Sequence, residues 1–181
     1  MNMLKSLIIA LAMYSKLPVP NIDWDEKNMR YAMCFFPVVG VIIGALVFGA
    51  GQLILRYTEC GKLFFAAVMT MIPVAVTGGI HLDGFADTID AVSSYKDREK
   101  KLEILKDPHT GAFAVIGLCA CFLITAALWS EVNLKTLSLA VWMYPISRAL
   151  SGLSVVSFRS AKSSGLLRTF QERADRKRTR I

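Results

Sequence analysis

Asp83, Asp87 and Asp90 stand at i, i+4 and i+7 in the run Gly78-Gly79-Ile80-His81-Leu82-Asp83-Gly84-Phe85-Ala86-Asp87-Thr88-Ile89-Asp90. At about 100° per residue, three such positions fall within roughly 60° of one another on a helix. Carboxylates crowded on one face repel, and at the end of an apolar segment they are poorly solvated, so a cation has to offset them. Hard oxygen donors suit Mg²⁺, with Mn²⁺ as the alternative, and Mg²⁺ commonly bridges a few carboxylates to substrate phosphates. The expected chemistry is metal-assisted reaction of a phosphate-bearing substrate. Gly84 and Ala86 are small enough to leave room beside the metal, and Gly78 and Gly79 are expected to let a helix or ligand come close. The plainer alternative is a solvated helix face whose acids favour a helix start. That accounts for one or two aspartates better than for three in register at a membrane boundary, where ionisable groups default to function. His81 lies about 160° from Asp83 and is expected to face elsewhere, as a structural histidine.

Two further places carry candidate chemistry. Lys106-Asp107-Pro108-His109-Thr110-Gly111 is a turn signal in which Asp107 is a fourth candidate metal ligand. In the same run, Lys106 or His109 is a candidate contact for phosphate, and a plain capped Asp-Pro turn is the competing reading. Arg148 is the one formal charge inside an otherwise apolar stretch. An arginine there costs at least about 2.5 kcal/mol unless it is paired or faces water. The aspartates or a substrate diphosphate, gripped bidentately, would satisfy it. Snorkelling is the alternative, and about ten residues of helix to the basic tail, roughly 15 Å, make that a long reach.

The elements that must position these residues are membrane helices. Hydrophobic residues make up 54% of the 181 and charged ones only 19%. Charge-free runs cover residues 31–55, 63–82 and 110–130, and a fourth, 136–158, is broken only by Arg148. Each is 20–25 residues long, where about 20 suffice to cross a hydrocarbon core of about 30 Å. The expected fold is all-α: a polytopic bundle of about four spanning helices preceded by an N-terminal interfacial helix. That first helix lies within Met1–Pro18 and is ended by Pro18 and Pro20. Residues 1–170 form one membrane domain with a catalytic loop at 83–109, within which Tyr95–Lys106 is a short amphipathic helix. Cys34, Cys60, Cys119 and Cys121 form no CxxC pair and read as small hydrophobes.

With four spans the hydrophilic pieces alternate across the bilayer. The N-terminal piece, the central loop and the tail after Phe158 hold seventeen Lys and Arg, and the opposite side holds Arg56, Lys62 and Lys135. The positive-inside rule then puts both termini and the catalytic loop in the cytoplasm of a multi-pass protein of the inner or plasma membrane. A net charge of +7 is met by the anionic leaflet of the lipid bilayer or by a polyphosphate substrate, so no nucleic acid is expected.

At these residues the chain resembles the adenosylcobinamide-GDP ribazoletransferase family, also called cobalamin (5'-phosphate) synthase. The resemblance rests on Lys16-Leu17-Pro18-Val19-Pro20, on the long motif from Gly78 to Ala91, and on Leu105 to Phe113. It spans roughly residues 1–170. It implies attack of α-ribazole, or its 5'-phosphate, on adenosylcobinamide-GDP with Mg²⁺, releasing GMP and leaving adenosylcobalamin or its 5'-phosphate. Asp83, Asp87 and Asp90 would hold Mg²⁺ on the diphosphate, and Arg148 would help stabilise the charge that develops. Asp90 or His109 would take the proton of the attacking hydroxyl. The family commonly has arginine where His109 and Lys16 stand, which leaves phosphate gripping at these positions open.

The resemblance also implies further spans. Residues 171–181 instead form a charge block expected of a disordered tail, so a C-terminally truncated or frame-shifted chain is the expectation. Two rivals share the aspartate pattern. A CDP-alcohol-type phosphotransferase would show a fourth aspartate one turn on, where Ser94 stands. A divalent-cation channel or transporter would place its carboxylates at mid-bilayer depth.

Overall fold

The computed structural model describes residues 3–29 and 31–158. The basic tail expected at 171–181, the eight basic residues after Phe158 and Arg30 lie outside the described residues. Among those described, the secondary structure is helical throughout. The elements are α1 (Met3–Tyr14), α2 (Glu26–Met29), a 3-10 turn (Ala32–Phe35), α3 (Phe36–Tyr57), α4 (Lys62–Thr77), α5 (Ile80–Ser93), α6 (Arg98–Ile104), α7 (Ala112–Ser130), α8 (Leu134–Ala140) and α9 (Met143–Ser157). They divide into two compact units. One holds the described residues up to Gly49 together with those from Lys135 onward; the other holds Ala50–Leu134.

Three stretches are long and apolar enough to cross a membrane: Ala32–Tyr57, Ala112–Ser130 and Leu134–Ser157. A fourth becomes available if α4 and α5, bent by 96° at their junction, are counted as one broken span. The protein is therefore a polytopic helical membrane protein, with α1 as its short N-terminal apolar helix. Along α7 the residues Val115, Ile116, Leu123, Ile124 and Leu128 are all exposed. An apolar surface this extensive belongs against lipid.

In the first unit the N-terminal segment is folded onto the start of α3. Ile9, Met29, Ala32 and Met33 form a buried cluster against which Met13, Tyr14 and Val155 pack. The Tyr14 and Phe36 rings lie 4.3 Å apart. Ser6, on the buried face of α1, donates to the Asn28 carbonyl at 2.7 Å, and Asp25 accepts the Asn28 N–H at 2.7 Å to start α2. The helix ends at Tyr14, four residues before Pro18, and the Ser15 hydroxyl donates to the Leu11 carbonyl at 2.7 Å.

Small residues bring α3 and α9 together. A Cβ at Gly40 would stand 2.6 Å from both the Pro145 Cα and the Tyr144 carbonyl oxygen. One at Gly44 would stand 3.1 Å from the Val141 carbonyl. Spaced four apart, the two glycines let backbone meet backbone, the close approach that drives helix association in lipid. The fourth expected span is not one smooth helix: it breaks at Val141-Trp142 between α8 and α9. Val141 and Trp142 are themselves apolar, so the break leaves no trace in the hydropathy.

In the second unit α7 packs along both α4 and α5. Phe65 of α4 meets Trp129 of α7 edge-on at 6.3 Å, and the space for Ile89 of α5 is made by Gly117 of α7. The second apolar stretch ends at Thr77, not Leu82, because Gly78 and Gly79 sit at φ 65° and 79°. A side chain pays about 1–2 kcal/mol to adopt this left-handed backbone. These glycines make a turn, and the expected close approach of a neighbour is not found at Gly79, where a Cβ would meet nothing within 4 Å.

The close contact at Gly40 predicts that Gly40→Ala destabilises the protein by about 1–3 kcal/mol through overpacking. Gly49→Ala, where a Cβ meets nothing within 4 Å, should be near neutral. Thermal unfolding in detergent compares them, and equal melting temperatures would contradict the contact.

Candidate functional site

The 96° turn starts α5, whose first turn carries Asp83 near the helix N-terminus, where a negative charge is favoured. Asp83 is exposed and Asp87 half-buried. Among the described residues neither carboxylate meets a hydrogen-bond or ion-pair partner. Gly84, between them, has open space around it, and His81 is half-buried on the same helix.

Asp90 is placed differently. Its Oδ2 accepts the Gly111 N–H at 2.6 Å and its Oδ1 accepts the Ala114 N–H at 2.8 Å. Gly111 is the N-cap of α7 and brings no side chain of its own. Asp90 therefore supplies from another helix the cap that Ser, Thr, Asp or Asn usually supplies locally. A carboxylate in the last turn of α5 opposes that helix's own dipole, and the N-terminus of α7 offsets the cost. Gly111 has an ordinary φ of −83°. It is needed for space, since a Cβ there would lie 2.6 Å from Asp90 Oδ1. The three aspartates expected to share a metal ion are thus placed differently: Asp83 and Asp87 meet no partner among the described residues, and Asp90 accepts two N–H groups. Among the described residues no three of His, Cys, Asp and Glu are grouped to hold one metal ion.

The loop before α7 is ordered by its own side chains. Asp107 Oδ1 accepts the His109 N–H at 2.9 Å and lies 2.7 Å from His109 Nδ1. The backbone N–H of His109, followed by its ring, holds the Asp107 carboxyl below the usual carboxylate range. This is the capped Asp-Pro turn weighed above, with His109 presented at 88% side-chain exposure. Lys106 is also exposed. Arg148 is on α9 in the other unit, half-buried, with Nη1 3.3 Å from the Ser147 hydroxyl and no hydrogen-bond partner at Nε.

A family model, cobalamin-5-phosphate synthase, matches residues 6–181. The chain belongs to that family. Among curated relatives, the adenosylcobinamide-GDP ribazoletransferase of Lachnoclostridium phytofermentans is 48% identical over 181 residues, 100% of this chain and 69% of the relative. The protein of that name from Clostridium perfringens (strain 13) is 36% identical over 170 residues, 93% of this chain and 67% of the relative. A third, from Clostridium botulinum (strain Eklund 17B), is 39% identical over 123 residues, 68% of this chain and 48% of the relative. The chain thus spans from about half to about two thirds of these relatives' length. No solved structure matches it.

Within this family member, sequence reasoning passed over Gly111. The available signal was a long apolar helix opening on a residue that cannot cap it, which sends the search for an acceptor elsewhere in the chain.

The lowered Asp107 pKa fixes the sign of a pH effect. A folded-state value below the unfolded one means the turn is held above the ordinary carboxylate range and released as pH falls through the lower folded value. Amide exchange at His109, corrected for intrinsic rate, should stay protected from neutral pH down to about pH 5. Loss of that protection near pH 6 would contradict the Asp107 assignment.

Proposed function

We infer that the chain acts as an adenosylcobinamide-GDP ribazoletransferase in cobalamin synthesis. A ribose hydroxyl free in both α-ribazole and its 5'-phosphate, and so not the 5'-hydroxyl, forms a bond to the phosphorus that carries the adenosylcobinamide. The bond from that phosphorus to the GMP oxygen breaks, GMP leaves, and the hydroxyl proton passes to a base. The observation that carries this reading is the Asp83–Asp87 pair, set on a helix turned out of an apolar segment by Gly78 and Gly79, in a chain of this family.

The donor set fits Mg²⁺, with Mn²⁺ as the alternative. Two hard carboxylates one turn apart suit an ion that keeps water and phosphate oxygens as its remaining ligands. Asp83 and Asp87 would hold it, and when bound it would neutralise charge on the diphosphate. Asp90 already accepts two N–H groups, which favours His109 as the base. Asp107 orients the His109 ring at Nδ1, leaving Nε2 to take the proton, a base held by an orienting partner. Lys106 lies on the same loop and suits a phosphate contact. Arg148, a guanidinium in an apolar helix with Nε unbonded, has a planar fork that suits a phosphate group in its own right.

The excess of basic residues on one set of loops supports a cytoplasmic catalytic loop and cytoplasmic termini in the cell membrane. The carboxylates sit beyond the end of an apolar helix, which weighs against a cation channel.

Membranes containing the protein, supplied with adenosylcobinamide-GDP, α-ribazole and Mg²⁺, should release GMP, and EDTA should stop the release. Asp87→Ala should abolish turnover while insertion is retained; undiminished GMP release by that variant would sink the metal assignment. His109→Gln should lower kcat by about 10²–10⁴-fold, and an unchanged pH–rate profile would remove it as the base.

A further inference from the structure

The bonds from Gly111 and Ala114 to Asp90 do more than finish a helix. They join positions separated by 21 and 24 residues. One end is α5, which carries Asp83 and Asp87; the other is the first turn of α7, directly after the loop that carries Lys106, Asp107 and His109. The loop's other anchor is α6, a short helix with no buried residue of its own, capped by Asp97 through the Lys100 N–H at 2.9 Å. Both Asp90 oxygens are used, each by a different N–H, and the glycine at 111 is there because a Cβ would strike the carboxylate.

We propose that Asp90 is a positioning residue, which holds the His109 loop in register with the Asp83–Asp87 pair by clamping the start of α7 to the end of α5. The inference rests on the functional reading above, in which the pair faces the diphosphate and His109 the attacking hydroxyl. Those two groups have to be held at a fixed separation for in-line attack, and a displacement of about 1 Å is enough to cost about 10²-fold in rate.

The charge and shape of Asp90 matter separately. Asp90→Asn keeps the shape but puts an NH₂ where one of the two N–H donors needs an acceptor, so one bond is lost. Gly111→Ala attacks the same clamp from the other side, by pushing a methyl into the carboxylate.

The test uses the full chain in membranes or detergent. Gly111→Ala should lose amide-exchange protection at positions 111 and 114, Asp90→Asn at one of the two, and each variant should lower kcat by about 10²-fold. The Mg²⁺ concentration for half-activation should stay as in the unsubstituted protein. The double variant should be no slower than the worse single one, because both break one clamp. A tenfold or larger shift in half-activating Mg²⁺ with Asp90→Asn, alongside normal kcat in Gly111→Ala, would overturn the proposal and make Asp90 a metal ligand. Loss of exchange protection with kcat unchanged would also overturn it, while leaving the transferase reading intact. Failure of the unsubstituted protein to release GMP would instead defeat the transferase reading, and with it the catalytic meaning of the clamp; the exchange measurement would still report whether the clamp exists.

Discussion

Two consecutive glycines in the left-handed backbone region are what the rest of the site depends on. Inside lipid a chain cannot leave its helix cheaply, since every freed N–H and C=O lacks water to bind. Gly78 and Gly79 make the departure in two residues and turn the chain by 96°. Thr77 helps from the apolar side: its hydroxyl donates to the Pro73 carbonyl at 2.8 Å and accepts the Gly79 N–H at 3.4 Å. Without the turn, α5 would continue the line of α4. In this chain the run from Gly78 therefore begins with a geometric device, Gly-Gly, and Asp83 and Asp87 follow on the helix it turns.

The two units hold their helices by different physics. In one, Gly40 and Gly44 remove side chains so that α3 meets the backbone at Val141, Tyr144 and Pro145, and dispersion over a short distance supplies the attraction. In the other, Phe65 against Trp129 packs α4 on α7, while α5 is fixed to α7 by a carboxylate. The first kind of contact tolerates an apolar surround. The second is directional, and it lies on the helix that carries Asp83 and Asp87.

The helical architecture was largely legible in the sequence. Runs of 20–25 uncharged residues have few solutions other than spanning helices, and α3, α4, α7 and the α8–α9 stretch follow them. What hydropathy missed were events that do not change polarity: the end of α4 at Thr77, where Ile80 and Leu82 prolong the apolar run, and the break at Val141-Trp142. The acidic pattern was legible as a pattern only. Helical spacing places Asp83, Asp87 and Asp90 on one face, yet it carries no information about what stands opposite that face. Asp90 points at a helix start more than twenty residues away, and periodicity within one segment cannot see a partner in another. Asp107 and His109 were closer to readable, because an Asp-Pro turn closes locally and its hydrogen bonds span two residues.

The clamp between α5 and α7 also sets an order of assembly. The donors that hold Asp90 are backbone groups of residues 111 and 114, so they do not exist until the ribosome has passed the loop and begun the next membrane helix. A nascent chain that has made only its first two apolar helices already owns Asp83 and Asp87, but nothing yet holds the end of that helix in place. During synthesis the acidic helix must wait, unclamped at the bilayer edge, for its anchor to be translated.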